Sequence, residues 1–148
     1  MEFHDKYSHI GYSFPSVPKT WLPFVERAIK NIERAMWPWW IPMFIKRWIH
    51  YQATGGSIVM IRNRFWHNVR QLLTNNQLIT DIKEKYADLR IYGYYGDKIE
   101  KIIEQAEKDC ASTCESCGAY SKDVDVSVVF GWYRRFCKEC RRKTLSDV

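Results

Sequence analysis

Two cysteine pairs near the carboxyl end constrain the fold of this 148-residue chain more than any other feature. Each pair has the form C-x2-C, Cys114 with Cys117 and Cys137 with Cys140. Two thiolates separated by two residues can hold one side of a tetrahedral ion, with Zn–S bonds of about 2.3 Å. A second pair roughly twenty residues further on completes the shell, and this spacing is typical of zinc sites. We therefore predict one Zn²⁺ ion bound by these four cysteines.

The predicted zinc is structural, because four thiolates leave no open coordination position for water. The histidines, at positions 4, 9, 50 and 67, lie away from the cysteines in sequence, and no H-E-x-x-H or H-x-E motif is present. We expect residues 113–148 to form a zinc ribbon or treble-clef-like module that the metal stabilises. Disulfides and a redox C-x-x-C are the alternatives. The fifth cysteine, Cys110, falls on the apolar stripe of a predicted helix and is expected in the core.

The residues before the cysteines predict an α+β domain over residues 1–112, made of N-terminal helices, a β-hairpin and an amphipathic helix. The predicted N-terminal elements are an irregular aromatic arm over 1–19, a helix capped by Thr20 and ended by Pro38, a helix from Pro42 to Gly55, a short strand over 57–61 and a helix over 62–74. An amphipathic helix follows Gly96, with an apolar stripe that runs from Ile99 to Cys110.

The most apolar run, Ala35–Ile45, is rich in tryptophan and contains two prolines. It has 11 residues, whereas a spanning helix needs about 20. We predict no membrane span and a buried aromatic turn between two helices. The alternative is a segment on a membrane surface, since Arg34, Lys46 and Arg47 flank the run.

Alternation of polar and apolar residues over 79–95 predicts a β-hairpin with its turn at Ala87-Asp88. Four residues would share one face of this hairpin: Lys83, Lys85, Arg90 and Tyr92. Such a face suits phosphate or carboxylate, so we predict that these four residues bind an anionic ligand. The alternative is an ordinary solvent-exposed face, because lysine and arginine are the usual residues at exposed strand positions.

Positive charge is clustered along the chain, whose formal net charge is +6 and whose pI is about 9.1. Residues 27–70 hold eight lysines and arginines against one acidic residue, and residues 133–143 hold six against one. This distribution favours an anionic partner such as a nucleotide, a nucleic acid or an acidic protein surface. The polar first residues lack the apolar segment of a secretory signal, so we expect a cytoplasmic protein.

Residues 79–142 resemble a group of small uncharacterised bacteriophage and bacterial proteins. Their pattern is I-K-E-K-F-G-x-L-R-F-Y-Y, an amphipathic helix, C-x2-C-G, and G-W-x-R-x-x-C-x2-[CH]. Two departures are Ala87 in place of the usual glycine and an insertion over residues 124–130. The resemblance implies a phage-encoded accessory or counter-defence protein in the cytoplasm of a bacterial host.

Several functions stay open on this pattern. The first is a non-catalytic protein that binds an anionic nucleotide-type ligand through the hairpin face. The second is a nucleic-acid-binding zinc module that uses Arg134, Arg135, Arg141, Arg142 and Lys143. The third is an inhibitor of a host defence protein that binds through an aromatic surface. An enzyme is disfavoured, because no nucleophile, base and orienting group are readable together. The oligomeric state, including a homo-oligomer, is also open.

Overall fold

A computed structural model of the protein describes residues 2–57 and 60–146. Its helices and strands are α1 (Phe3–Lys6), α2 (Leu22–Met36), α3 (Met43–Thr54), α4 (Arg64–Thr74), β1 (Leu78–Lys85), β2 (Asp88–Tyr94), α5 (Asp97–Ala111), β3 (Asp125–Val129), β4 (Trp132–Phe136) and α6 (Lys138–Ser146). Two antiparallel hairpins, β1–β2 and β3–β4, form separate two-stranded sheets. The predicted α+β class is confirmed.

The main core lies where α2, α5 and the inner face of the β1–β2 hairpin meet. Buried side chains recur every three or four residues on both helices: Val25, Ala28, Ile29, Ile32 and Met36 of α2, and Ile99, Ile103, Ala106 and Cys110 of α5. The hairpin adds Ile82, Leu89 and Ile91 to the same cluster. Full burial of each large aliphatic side chain contributes about 1.5–3 kcal/mol, so this contact dominates the stability of the domain.

The start of α2 differs from the prediction that Thr20 caps it. A 3-10 turn over Lys19–Trp21 leads directly into the helix, and the Thr20 hydroxyl donates instead to the carbonyl oxygen of Glu115 at 3.2 Å. The indole of Trp21 is fully buried and donates to the carbonyl oxygen of Thr113 at 3.1 Å. This segment therefore joins the helical part of the chain to the residues that carry the cysteines.

The prediction that Ala35–Ile45 is a buried aromatic turn is wrong for its central residues. Trp37 and Ile41 are buried, but Trp39 is 90% exposed and Trp40 is 64% exposed. Residues 37–42 turn the chain between α2 and α3, and a turn has an outer side as well as an inner one, so only part of the run reaches the core. Within residues 2–57 and 60–146, no helix is long and apolar enough to cross a membrane.

Helices α3 and α4 pack against each other as a second layer. The Asn63 side chain accepts a hydrogen bond from the backbone N–H of Trp66, which caps α4, and the helix predicted over 62–74 is confirmed within two residues. Gly55, with φ of +65°, ends α3 in the left-handed conformation. The strand predicted over 57–61 includes Ile58 and Val59, which lie outside the described residues.

The predicted hairpin over 79–95 is confirmed, with its turn one residue earlier than expected. Lys85 pairs with Asp88, so Tyr86 and Ala87 form the two-residue turn, and both adopt positive φ, 54° and 63°. Such a turn matches the right-handed twist of the strands. The backbone N–H of Ala87 donates to the Glu84 carboxylate at 2.6 Å, which helps hold the two residues in this strained conformation.

Residues 11–16 run parallel to β1 and cover its free edge. The backbone N–H of Tyr12 donates to Ile79 at 2.9 Å, and Ser16 exchanges backbone hydrogen bonds with Ile82 and Glu84. Pairing of this kind satisfies an edge that would otherwise be open to other chains. The irregular N-terminal arm therefore acts as a partial third strand.

Candidate metal centre and ligand groove

The four predicted ligands lie together in the part of the chain over residues 113–146, named here the cysteine module. Cys114 and Cys117 belong to a tight knuckle, in which Gly118 donates to the Cys114 carbonyl oxygen at 2.9 Å with φ of +74°. The β3–β4 hairpin follows, and Cys137 and Cys140 lie at the start of α6. The order of knuckle, hairpin and helix is that of a treble-clef-like module.

The geometry of the four sulfurs fits a tetrahedral metal ion. Their Sγ atoms all lie within 4.8 Å of one another. The Sγ atoms of Cys117 and Cys137 are 3.7 Å apart, and Zn–S bonds of about 2.3 Å in a tetrahedron require a sulfur–sulfur edge of about 3.8 Å. The four cysteines can thus hold one metal ion without rearrangement of the backbone.

The thiols resist ionisation together unless a cation is present. Burial tends to raise the pKa of Cys114, but backbone N–H groups of Cys117, Cys137 and Ser116 lower it to about 7. Burial and the neighbouring thiols Cys117 and Cys137 raise the pKa of Cys140 to about 12. The Cys114 thiol is therefore ready to ionise near neutral pH, whereas the Cys140 thiol is not. A divalent ion would allow both to ionise, since it stabilises thiolates directly.

Cys110 is separate from the metal cluster, as predicted. Its side chain is fully buried in the main core, and burial raises its pKa to about 12. A thiol in this environment is a small apolar side chain rather than a ligand or nucleophile.

Arg135 of β4 attaches the cysteine module to the rest of the molecule. Its guanidinium donates to the Ala87 carbonyl oxygen at 2.6 Å, to the Ala111 carbonyl oxygen at 3.2 Å and to the Asp88 carboxylate at 2.6 Å. Its backbone N–H also donates to the Glu115 carboxylate at 2.9 Å. The prediction that Arg135 contributes to a nucleic-acid surface is therefore unsupported, because its donors are used inside the protein.

The four residues of the predicted ligand face lie on the outer side of the β1–β2 hairpin. Lys83 lies directly opposite Arg90, and Lys83 Nζ is 5.3 Å from the centroid of the Tyr92 ring. Lys83 pairs with Asp81, and Arg90 lies 3.1 Å from Asp88 and 3.8 Å from Glu107. Lys85 makes no ion pair among the described residues and lies over the Tyr86 ring at 5.6 Å. Of the three cations on this face, Lys85 is the one available to a ligand without competition.

Lys85 also lines a groove between the tips of the two hairpins, named here the hairpin groove. The groove has a volume of about 640 Å³ and is lined by Ser16, Val17, Pro18, Glu84, Lys85, Tyr86, Glu115, Gly131, Trp132, Tyr133 and Arg134. The rings of Tyr86 and Tyr133 meet edge to face at 5.8 Å. Trp132 is 72% exposed, which leaves its indole open to a ligand. The groove therefore combines three aromatic rings with two cations, Lys85 and Arg134.

Both acidic residues of the hairpin groove are engaged in structural hydrogen bonds. Glu84 accepts from the turn at Ala87, and Glu115 accepts from Arg135 and from Arg134, whose Nη1 lies 3.3 Å from its carboxylate. Neither carboxylate is placed as an unpaired base. The sequence pattern missed the groove because Trp132 and Tyr133 are far from Tyr86 in the chain. Their only signal was a pair of aromatic residues followed by a pair of arginines directly after Gly131.

A buried polar cluster beneath α2, α3 and α4 was also missed. Lys46 Nζ donates to Glu33 at 2.5 Å, and His9 Nε2 lies 3.2 Å from the same carboxylate oxygen. Arg70 Nε donates to His50 Nδ1 at 2.9 Å. All five residues are at most 5% exposed. Burial, with the nearby Arg70 charge, lowers the pKa of His50 to about 3, so His50 is the neutral acceptor that the guanidinium requires.

No protein-family model, no curated protein and no solved structure matches the chain. Its function has to be argued from the arrangement of its own residues.

Proposed function

We propose that this chain is a non-catalytic binding protein, stabilised by a structural zinc ion, that holds an anionic nucleotide-type ligand in the hairpin groove. The supporting observation is that exposed rings of Tyr86, Trp132 and Tyr133 surround one groove together with Lys85 and Arg134. A nucleobase stacks on flat aromatic surfaces, and a phosphate is neutralised by nearby cations. The hairpin face with Lys83, Arg90 and Tyr92 continues from Lys85 and extends this ligand surface.

Zinc is the proposed metal because four thiolates in a tetrahedral set select zinc or iron, and zinc is the ion used for closed structural sites. The ion would hold the knuckle against the start of α6. It would thereby fix the β3–β4 hairpin that presents Trp132 and Tyr133. Cys114, Cys117, Cys137 and Cys140 would be its ligands, and it would take no part in ligand chemistry.

A small ligand fits the charge distribution better than a long nucleic-acid strand does. Of the four cations in the groove and on the hairpin face, Lys83, Arg90 and Arg134 each have a carboxylate partner within 4.0 Å. A strand bound along the groove and the hairpin face would find few uncompensated charges there for its phosphates. The groove volume of about 640 Å³ also falls in the range of small-molecule sites, about 300–1,000 Å³.

The biological setting in this proposal rests on the resemblance over residues 79–142. A phage-encoded protein that sequesters a nucleotide signal of its host would act as a counter-defence protein. Sequestration needs binding without turnover, and the structural engagement of Glu84 and Glu115 is consistent with that requirement.

Calorimetry on the full chain tests the proposal with ATP, a cyclic dinucleotide and a short oligothymidylate as probes. At least one probe should bind in the groove, and Trp132→Ala should weaken its binding on the order of tenfold, since base stacking on an aromatic ring contributes about 1–3 kcal/mol. Trp39→Ala is the matched control, because it removes an indole elsewhere that is also largely exposed. Unchanged affinity in the Trp132 variant would show that the probe does not bind in the hairpin groove.

Salt dependence distinguishes binding of a small nucleotide from binding of a nucleic-acid strand. A pocket with one or two cations should lose little affinity as salt rises. Oligothymidylate affinity that falls steeply and log-linearly with salt, with no binding of the small probes, would favour the nucleic-acid-binding alternative.

A further inference from the structure

The α3–α4 layer carries a continuous exposed aromatic and aliphatic surface, named here the aromatic face. Phe44, Trp48 and Tyr51 are spaced by four and three residues, so they share the side of α3 that faces away from the core. Trp48 contacts Trp66 of α4 at 4.8 Å between ring centroids, and Trp66 contacts Phe65 at 5.2 Å. The rings therefore form one connected surface across both helices.

Further exposed apolar residues lie in the chain segments that flank α3. Trp39 and Trp40 lie in the turn before α3, and Met60 and Ile61 lie in the connection before α4. Beside Trp40, a shallow depression of about 300 Å³ is lined by apolar side chains, Trp40, Ile41, Pro42, Ile45, Ile49 and Leu73. Exposed apolar surface of this extent marks an interaction site rather than an ordinary protein exterior.

The charge of this region indicates the partner. Residues 34–80 contain no aspartate or glutamate and six lysines and arginines, two of which belong to the buried polar cluster. Arg62 lies over the Tyr51 ring at 5.0 Å, and Arg64 is exposed at the start of α4, so cations border the aromatic face. A surface of tryptophan, tyrosine and aliphatic side chains bordered by arginine complements a layer that is apolar inside and negatively charged outside.

We propose that the aromatic face binds the surface of an anionic phospholipid bilayer, with α3 and α4 lying in the interface. The mixture of aliphatic and aromatic residues favours lipid over nucleic acid, because isoleucine and methionine offer no stacking surface to bases. The apolar lining of the depression suits hydrocarbon chains. Helices of 12 and 11 residues, about 16–18 Å long, are suited to lie along the membrane surface rather than to cross it.

The experiment is flotation of the full-length protein with vesicles of phosphatidylcholine, with and without phosphatidylglycerol. The protein should float with the anionic vesicles, and its tryptophan emission should shift to the blue as exposed indoles leave water. The double variant Trp39→Ala with Trp40→Ala should lose vesicle binding by at least about tenfold. Both side chains are exposed, so this variant should keep the thermal melt of the parent protein.

A second variant tests the charge. Arg62→Gln with Arg64→Gln should weaken binding to anionic vesicles by about twenty-five-fold, since each of the two cations contributes on the order of fivefold in affinity near an anionic surface. Tyr94→Ala, which removes an exposed ring from β2, is the matched control for the tryptophan double variant and should bind vesicles as the parent does.

Three outcomes would overturn the proposal. The first is no binding to either vesicle, and the second is equal binding by the parent and the tryptophan double variant. The third is loss of self-association or of oligonucleotide binding in that variant without any effect on vesicles, which would assign the aromatic face to a second copy of the chain or to nucleic acid. Nucleotide binding in the hairpin groove is measured separately, so either proposal can fail alone.

Discussion

The guanidinium of Arg135 donates to the Asp88 carboxylate at 2.6 Å and thereby joins the second hairpin to the turn of the first. Asp88 also accepts from Arg90 at 3.1 Å, so one carboxylate serves the attachment of the cysteine module and the predicted ligand face. The hairpin groove lies beside this connection. The relative position of Tyr86 and Trp132 depends on it, because each ring is carried by one of the two hairpins.

Arg135→Ala should loosen the cysteine module and weaken ligand binding even though Arg135 is no part of the groove lining. Three hydrogen bonds are lost, and the half-buried Asp88 carboxylate loses one of its two arginine partners, so we expect a decrease in the free energy of unfolding of about 1–3 kcal/mol. Urea unfolding measures this loss. Arg142→Ala, a substitution of an exposed arginine in α6, should change the unfolding free energy by less than about 0.5 kcal/mol. Equal stability of the two variants would contradict the assigned role of Arg135.

Metal analysis of the freshly purified chain should return one zinc per molecule. Cys114→Ser should lose the metal and lower the stability of the cysteine module, because the small cluster of Val124, Phe136 and the cysteines provides little core of its own. Cys110→Ala should retain the metal, since its thiol lies in the main core. Less than half an equivalent of metal in the parent protein would contradict the proposed metal site. Iron in place of zinc would confirm the site but contradict the identity of its ion.

The hairpin face should contribute to the binding of a nucleotide-type ligand. Lys83→Ala and Arg90→Ala are each expected to weaken binding by about tenfold to a hundredfold, the effect of losing one charge-assisted contact of roughly 1.5–3 kcal/mol. Calorimetry with the tightest of the three probes measures the change, and Lys98→Ala on the exposed side of α5 is the matched control. Full binding by both variants, with unchanged thermal melts, would show that this face is an ordinary solvent-exposed surface without a role in ligand binding.

The sequence predicted those features that depend on local spacing. The two C-x2-C pairs, the apolar stripe of α5 and the alternation around Lys83 each report a geometry fixed within a few residues, and each is found where expected. The turn was misplaced by one residue because Tyr86, which adopts φ of 54°, is not a residue type that signals a left-handed position, whereas Asp88 is of a type common in turns.

Features that depend on long-range contacts were missed or predicted wrongly. Hydrophobicity identified the Trp39 region as special but could not say which of its rings would face the core. The signal of Glu33 is its position, four residues after Ile29 on the apolar side of α2. A carboxylate buried there needs a partner, because an unpaired buried charge would be costly, and the structure places it against Lys46 and His9.

The buried polar cluster predicts acid sensitivity. Burial and the Arg70 charge lower the pKa of His50 to about 3, whereas an unfolded histidine titrates near 6.5. The unfolded chain therefore binds more protons than the folded chain between these values, and the free energy of unfolding falls as the pH falls. The loss from this one group approaches about 1.4 kcal/mol for each pH unit within that window.

Neighbouring groups act in the same direction. Burial also lowers the pKa of His9. For Glu33, burial alone would raise the pKa, but hydrogen bonds from His9 and Lys46 lower it below its usual value. The stability that the Glu33 carboxylate contributes is present above its unfolded pKa and is lost as the pH falls through its folded pKa. His9 and His50 therefore act first as the pH drops from neutral, and Glu33 adds its effect at lower pH.

His50→Gln separates this cluster from the metal site, which is also sensitive to acid because thiolates take up protons. Glutamine offers Arg70 an uncharged acceptor but does not titrate. We expect the variant to be slightly less stable than the parent at pH 7 and to lose less stability between pH 7 and pH 4.5, as measured by urea unfolding at each pH. Both proteins keep the same four cysteines, so metal loss contributes equally to the two and cancels in the difference. Parallel pH profiles would show that His50 titrates alike in the folded and the unfolded chain, contrary to a pKa lowered by burial against Arg70.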